Sequence, residues 1–227
     1  MTRPGAFGRD LQSPFVLPAD ARQVILVRHG AARHDAAVVN GEQRADPELT
    51  DLGHGQAALV AQRLLSDHGA GGVDLFSSGL RRADQTAGPT ASALGADVRQ
   101  VADLQEVGLG DYEGAAFEQA RRTGDPLMLR ALSEERWDVL AGAEPAEVFG
   151  SRVRRGLETV AEAIQPGGSA AVFTHGGVVA ELCRQVTGSR GFAFVDVDNA
   201  SLTVLVQDGV GRWRLRGFND SAHLSPR

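Results

Sequence analysis

Two histidines in matching positions are the residues best suited to chemistry. His29 follows the apolar run 24–27 and His175 follows the apolar run 170–173. A short run of this kind predicts a strand that is buried on both faces of a parallel sheet. The carboxyl ends of such strands meet at one edge of the sheet, where α/β proteins bind their ligands. We therefore expect the two rings to lie together at one site, although a single histidine after a strand is more often structural.

Glycines and arginines accompany these histidines. Gly30 and Gly176 follow the two rings directly, and a glycine allows a backbone N–H to approach a ligand closely. Arg28 precedes the first ring, while Arg81 and Arg82 open a predicted helix after a third strand. A helix N-terminus does not favour positive charge, which indicates an anion-binding role for one of this pair and a solvated surface position for the other. Guanidinium groups are suited to phosphate oxygens.

Composition excludes several classes of protein. The 227 residues carry a net charge of −6, which argues against non-specific binding to nucleic acid or to an anionic membrane. All 23 basic residues are arginine, so a P-loop, Schiff-base or kinase-type lysine is excluded. The single Cys183 excludes an internal disulfide and a multi-cysteine zinc site. We expect no metal ion and no cofactor, and the missing Gly-x-Gly-x-x-Gly disfavours a dinucleotide-binding module.

The order of predicted elements favours an α/β fold. Strands alternate with helices, which indicates a three-layer α/β/α sandwich around a mostly parallel sheet. A hairpin of residues 201–206 and 213–218 adds an antiparallel edge. Residues 1–20 are expected to be a flexible tail without a secretory signal, which predicts a cytoplasmic protein, and residues 21–227 a single domain. Trp137 and Trp213 are expected in the core.

Five motifs, in this order along the chain, resemble the histidine phosphatase superfamily and its phosphoglycerate-mutase-like branch. They are Arg-His-Gly at 28–30, Leu-Thr-x-x-Gly-x-x-Gln-Ala at 49–57, Ser-x-Leu-x-Arg-Ala-x-Gln-Thr-Ala at 78–87, Glu-x-x-x-Gly-x-x-Glu-Gly at 106–114, and the second histidine, His175. The end of the chain, residues 218–224, is similar to that of several phosphatases of the family. The resemblance implies the phosphoglycerate-mutase-like fold and transfer of a phosphoryl group through phosphohistidine.

The resemblance also implies a role for each matching residue. His29 would attack phosphorus, and Glu106 would protonate the leaving oxygen and later accept a proton from water. His175 would assist, either as a third cation or as a neutral hydrogen-bond donor. Arg28 and Arg82 would bind the phosphate oxygens together with His175 and the backbone at Gly176. The register of the third motif selects Arg82 over Arg81.

The chain departs from the family pattern after the first motif. Many relatives continue with Glu or Gln, then Ser or Thr, where this chain has Ala31 and Ala32. His34 could replace a lost contact, but an exposed histidine in the loop 31–40 is the simpler interpretation. Asn199 and His223 are expected to hold loops near the pocket rather than to contact phosphate.

The leading hypothesis is a metal-independent phosphomonoesterase that acts on a small phosphorylated metabolite. A phosphoglycerate-type mutase with the same pocket and a non-catalytic phospholigand-binding protein are the alternatives. The compact segment 114–145 lacks the aromatic insertion expected of a mutase and favours hydrolysis. Arg121, Arg122 and Arg130 in this segment suggest an acidic substrate. No nucleic acid or membrane partner is expected, and a homodimer stays open.

Overall fold

The structure is a computed structural model that describes residues 17–33 and 46–225. Most of the predicted tail, residues 1–20, lies outside the described residues. The same holds for His34 and most of the loop 31–40, so the role of this histidine stays a prediction. Among the described residues, none of the helices combines the length and the apolar character that spanning a membrane requires.

Six strands of the described chain form one mixed sheet. In chain order they are β1 (Arg22–Arg28), β2 (Asp74–Ser77), β3 (Val98–Gln100), β4 (Ser169–Thr174), β5 (Leu202–Gln207) and β6 (Trp213–Asp220). Their order in space is β3-β2-β4-β1-β5-β6. The pairs from β3 to β1 are parallel, whereas β5 is antiparallel to β1 and β6 to β5. The predicted parallel sheet with an antiparallel edge is confirmed.

The described residues also form six α-helices, four of which cover the two faces of the sheet. They are α1 (Asp51–His68), α2 (Arg81–Leu94), α3 (Ala115–Thr123), α4 (Pro126–Glu134), α5 (Ala146–Ala163) and α6 (Gly176–Thr187). Local signals start two of them: Thr50 Oγ1 accepts a hydrogen bond from the Gly53 N–H at 3.1 Å, and Asp125 caps α4 ahead of Pro126.

The alternation of side chains along β1 divides the core into two layers. Ile25 and Val27 pack with α1 and α2 on one face, while Val24 and Leu26 pack with α5 and α6 on the other. Because successive strand residues point to opposite faces, a wholly apolar strand satisfies both layers. The predicted three-layer sandwich is confirmed.

Helices α3 and α4 build a smaller cluster beside the sheet. Its buried residues are Ala120, Met128, Ala131 and Leu140. Leu109 and Trp137 pack against both this cluster and the main core, so they join the two. The segment between β3 and α5 thereby acquires a fixed position next to the carboxyl edge of the parallel strands.

Candidate active site

The sheet topology places three strand ends side by side. Strand β4 lies between β1 and β2, with Arg28 in register with Thr174 and Ser77 in register with Phe173. The residues that directly follow the three strands therefore lie at the same edge of the sheet. This edge is the expected location of a site in an open α/β fold.

Those following residues are His29, Ser78 and His175. The backbone ladder continues through the first two, because His29 N donates to Thr174 O at 2.9 Å and Ser78 N donates to Phe173 O at 3.0 Å. The centroids of the two histidine rings are 5.3 Å apart. The structure thus brings together the two histidines whose convergence the sequence predicted.

The backbone fixes the tautomer of His29. Its Nδ1 lies 2.7 Å from Gly30 O, and since a carbonyl oxygen can only accept, Nδ1 carries the proton. In the neutral ring, Nε2 then keeps the lone pair. Asn199 Nδ2 donates to His29 O at 3.0 Å and fixes the chain at this point. The residue as a whole is 8% exposed, so packing restrains the ring as well.

His175 is completely buried and neutral. Burial holds its pKa well below the ordinary histidine value, and the positive charges of Arg82, Arg28 and Arg152 act in the same direction. Ser78 Oγ, 2.8 Å from His175 Nε2, also accepts the Leu80 N–H at 3.3 Å. This arrangement favours donation from the hydroxyl to Nε2, which leaves the ring proton on Nδ1. Of the two alternatives from sequence, the structure favours a neutral donor.

Of the two consecutive arginines, only Arg82 is buried. Arg82 is 7% exposed, and its Nη1 lies 3.7 Å from Asp46 Oδ1. Arg81 is exposed and donates to Glu48 at 3.2 Å. The helical turn at the start of α2 therefore directs one guanidinium group inward and the other to solvent, as the motif register predicted.

Arg28 supplies the second cation of the site. Its guanidinium group donates to Val197 O and lies next to Gly176, the first residue of α6. Burial lowers the pKa of Arg28 and of Arg82, and in both cases the charge of Glu106 is the main opposing influence. Guanidinium groups stay protonated under such shifts, so the site holds two permanent positive charges beside a carboxylate.

Glu106 is fixed by hydrogen bonds to both carboxylate oxygens. Oε1 accepts the Val107 N–H at 2.9 Å, and Oε2 accepts the Gly177 N–H at 3.1 Å. Gly177 is the second residue of α6, so the carboxylate satisfies one of the free N–H groups at this helix start. A Cβ atom at position 177 would overlap Oε1. Sequence reasoning missed this requirement, although the Gly-Gly pair after His175 was its signal.

A cavity of about 390 Å³ opens next to this cluster, although His29, Arg82 and His175 do not line it. Arg28, Glu106 and the start of α6 form its polar part. Its apolar lining comes from Val107, Leu109, Phe117, Leu132, Trp137, Val195 and Val197. Arg121 and Asp196 supply the remaining charges, and both are exposed.

Trp137 corrects one expectation from sequence. It packs against the core, as expected, but it is only partly buried and also lines the cavity, with Phe117 edge-on at 5.8 Å between ring centroids. Trp213, by contrast, is buried, and its indole N–H donates to Glu158 at 3.0 Å. The two tryptophans have the same propensity for burial, so only the tertiary position of the 114–145 segment separates them.

Gly30 has a different role from the one expected. Its N–H donates to Thr86 Oγ1 at 3.0 Å and is therefore already engaged. A Cβ atom at this position would lie 2.6 Å from Gly53 O. The glycine is required by the close contact with the start of α1, not by the approach of a ligand.

The loop residues behave as expected. His223 Nε2 donates to Ala200 O at 3.0 Å, while Asn199 holds the backbone of His29, so both stabilise loops. The Ala31 N–H is bound by Gln56 Oε1 at 2.8 Å. Within residues 17–33 and 46–225, no group of three His, Cys, Asp or Glu side chains is placed to hold a metal ion.

Comparison with known proteins gives this geometry a family. The family model described as histidine phosphatase superfamily (branch 1) matches residues 24–221. The chain belongs to the histidine phosphatase superfamily. The match includes all the residues that the structure brings to the candidate site.

Three similar proteins illustrate the range of named activities. A protein of Hydrogenobacter thermophilus, provisionally named phosphoserine phosphatase 2, is 30% identical over 83% of this chain and 91% of its own. A provisionally named phosphoglycerate mutase of Yersinia enterocolitica is 28% identical over 89% and 94%. The solved structure of a mycobacterial glucosyl-3-phosphoglycerate phosphatase is 28% identical, covers 88% of this chain and 100% of its own, and has a TM-score of 0.72.

The predictions of the family, of the α/β fold and of a phosphatase are confirmed by these comparisons. One relative carries the name of a phosphoglycerate mutase, so the proteins similar to this chain are not all named phosphatases. The phosphatase reading has the stronger support.

Proposed function

We propose that this histidine phosphatase hydrolyses a small, acidic phosphomonoester without a metal ion, through a phosphoryl group attached to His29. One observation carries the proposal. Arg28 Nε and His175 Nδ1 are buried beside His29, and neither has a hydrogen-bond partner among the described residues. A buried donor without a partner costs about 1–3 kcal/mol, which a phosphate oxygen would offset.

The first half-reaction transfers the phosphoryl group to the enzyme. His29 Nε2 attacks phosphorus, the bond from phosphorus to the ester oxygen breaks, and its electron pair stays on that oxygen. Glu106, in its protonated form, donates a proton to the leaving oxygen. Arg28, Arg82 and the neutral His175 stabilise the equatorial oxygens, which is the main task in phosphoryl transfer.

The second half-reaction transfers the phosphoryl group from His29 to water. The Glu106 carboxylate accepts a proton from the attacking water, whose oxygen forms a bond to phosphorus as the bond to His29 Nε2 breaks. Inorganic phosphate leaves, the imidazole is restored, and Glu106 is again protonated for the next cycle. Protons and charges balance without an added reactant.

The cavity supports an acidic substrate with a compact carbon skeleton. Arg121 lines the cavity and forms no ion pair with any described residue, so it is available to a second anionic group of the substrate. Arg122 is exposed, and Arg130 is paired with Glu134 at 2.6 Å. Two of the similar proteins carry names that contain phosphoserine and phosphoglycerate, which are phosphate esters of carboxylic acids. Small substrates of this kind and the free thiol of Cys183 are in keeping with the proposed cytoplasmic location.

A panel of phosphorylated metabolites, assayed with and without a chelator, tests the proposal. We expect phosphate release to survive chelation and to be fastest with carboxylate-bearing esters. Arg121→Ala should raise KM for these esters but not for 4-nitrophenyl phosphate, while Arg122→Ala, the exposed neighbour on α3, serves as the control. A strict requirement for a divalent metal, or equal effects of the two substitutions, would contradict the proposal.

Isomerisation is tested with 3-phosphoglycerate in the presence and absence of 2,3-bisphosphoglycerate. Hydrolysis predicts free phosphate without any need for the bisphosphate. Rapid formation of 2-phosphoglycerate with negligible free phosphate would establish the mutase instead.

A further inference from the structure

The chain segment that carries Glu106 is held by a buried arginine of α5. Arg152 Nη1 donates to Asp103 O at 2.9 Å and to Gln105 O at 2.6 Å, and Nη2 donates to Glu106 O at 2.8 Å. No strand among the described residues pairs with these carbonyls, so the guanidinium group supplies the hydrogen bonds that a neighbouring strand would provide. Three backbone carbonyls of the segment thus depend on one side chain.

Arg152 is itself oriented by Glu144. The two side chains form a bidentate ion pair, with Nε to Oε1 at 2.6 Å and Nη2 to Oε2 at 2.8 Å, and they are only 10% and 11% exposed. The Glu144 carboxylate also accepts the Gly108 N–H at 3.1 Å, and the backbone N–H of Glu144 donates to Gly108 O at 2.8 Å. The ion pair therefore restrains the chain on both sides of Glu106.

The remaining carbonyl of the segment, that of Leu104, is bound by a residue of the sheet. Thr174, the last residue of β4, donates from Oγ1 to Leu104 O at 2.8 Å. Gly156, one turn after Arg152 on α5, lets the helix contact this segment, because a Cβ atom there would lie 2.7 Å from the Leu104 side chain. All four carbonyls from residue 103 to residue 106 are thus bound by side chains of α5 and β4.

We propose that Arg152, oriented by Glu144 and assisted by Thr174, is the positioning residue for proton transfer by Glu106. The inference rests on the proposed function, since it assumes that Glu106 acts as the acid. Arg152 does not line the cavity and acts only through the backbone of the segment. Proton transfer requires hydrogen-bond distance to the leaving oxygen, and a displacement of about 1 Å can cost about 10²-fold in rate.

The first test compares leaving groups in single-turnover measurements. An alkyl phosphate needs a proton on its leaving oxygen, whereas 4-nitrophenolate leaves without much assistance. Arg152→Met and Thr174→Val should slow phosphoryl transfer from the alkyl ester by about 10–100-fold and from 4-nitrophenyl phosphate by much less. Arg155→Met is the matched control, because Arg155 is an exposed α5 residue whose one hydrogen-bonding partner within residues 17–33 and 46–225 is the Asp103 carboxylate, at 3.0 Å. It should leave both rates unchanged.

The second test combines the substitutions with Glu106→Gln. If Arg152 and Thr174 act through Glu106, neither Arg152→Met nor Thr174→Val slows the alkyl ester further in this background. Additive losses, equal losses on both esters, or no loss in any variant would overturn the inference. Arg152→Met leaves the Glu144 charge buried without its partner and could unfold the protein. Arg152→Lys, which keeps a positive charge beside Glu144 but cannot bind three carbonyls at once, then takes its place beside Thr174→Val.

The outcomes separate this inference from the proposed function. If the unmodified protein transfers phosphate from neither ester, the function is wrong and so is the inference that depends on it. If Glu106→Gln is selective for the alkyl ester but Thr174→Val and Arg152→Met are not, the function stands and only the positioning role fails.

Discussion

Arg81 and Arg82 show how much of the site depends on the direction of single side chains. The two residues are neighbours, yet one is paired with Glu48 at the surface and the other is buried. A buried guanidinium group loses hydration and is therefore strongly attracted to a phosphate that enters the site.

Alanine substitutions should separate the two arginines. Arg82→Ala removes a donor that stabilises developing charge, and we expect turnover to fall by about 10²–10³-fold. Arg81→Ala removes an exposed ion pair and should change turnover by less than about fivefold. Steady-state kinetics on one substrate measures both. Equal losses would mean that the register of the third motif does not select the phosphate ligand.

The neutral state of His175 predicts a pH dependence of stability. In the unfolded chain this ring titrates near its ordinary pKa of about 6.5, whereas burial keeps the folded pKa well below that value. Between these two values the unfolded state binds a proton that the folded state does not. The free energy of unfolding should therefore fall as the pH drops below about 6.5, by up to about 1.4 kcal/mol per pH unit.

Urea unfolding of the wild type and of His175→Asn between pH 8 and pH 5 measures this contribution. The variant should be less stable throughout, but its stability should fall less steeply in acid. His68 and His223, whose pKa values are also lowered by burial, are present in both proteins and cancel in the comparison. The same slope in both would show that His175 does not stay neutral in the folded state.

At the scale of elements, the start of α6 is where two parts of the site meet. The helix follows His175, and its second residue binds Glu106 from a distant part of the chain. The carboxylate and the helix N-terminus stabilise each other, because a negative charge is favoured there.

Two helical glycines test this contact. Gly177→Ala places a Cβ atom against Glu106 Oε1, so the carboxylate must move, and hydrolysis of alkyl phosphates should fall by about tenfold or more. Gly55→Ala in α1 meets no atom within 4 Å and should raise the free energy of unfolding by about 0.5–1 kcal/mol without loss of activity. Kinetics and denaturant unfolding of both variants provide the measurement. Unchanged kinetics in Gly177→Ala would mean that this contact has no part in catalysis.

Sequence predicted the elements better than the contacts between them. Apolar runs identified β1 and β4, and the motif register selected Arg82, because these signals are local. The position of Trp137 in the cavity lining depends on how the 114–145 segment packs. The hydrogen bonds from Arg152 to residues 103–106 depend on how α5 packs. No local sequence pattern encodes either arrangement. The requirement for Gly30 was predicted at the right residue for the wrong reason, since its partner Gly53 lies in another element.

At the scale of the whole molecule, Cys183 reports on the integrity of the core. It is the single cysteine of the chain and is buried in the layer formed by α5 and α6. Burial raises the pKa of its thiol to about 12, so the reactive thiolate is scarce at neutral pH. Labelling by a thiol reagent therefore requires α6 to separate from the layer that it forms with α5.

We expect Cys183 to react slowly in the native protein and rapidly in denaturant. Inorganic phosphate should slow native labelling further, because a ligand that binds only the folded state stabilises it, by about 2.7 kcal/mol at a concentration of 100 Kd. Mass spectrometry over time gives the labelling rate. Native labelling as fast as in denaturant would contradict the packing of α6 described above.

The central claim is that the phosphoryl group passes through His29. The most direct measurement is rapid acid-free quenching of a single turnover with substrate labelled in its phosphoryl group, followed by mapping of the labelled peptide. We predict acid-labile phosphate on His29 that forms before inorganic phosphate is released, and neither label nor turnover in a folded His29→Ala protein. Near-normal turnover of His29→Ala, or label on a different residue, would contradict the account.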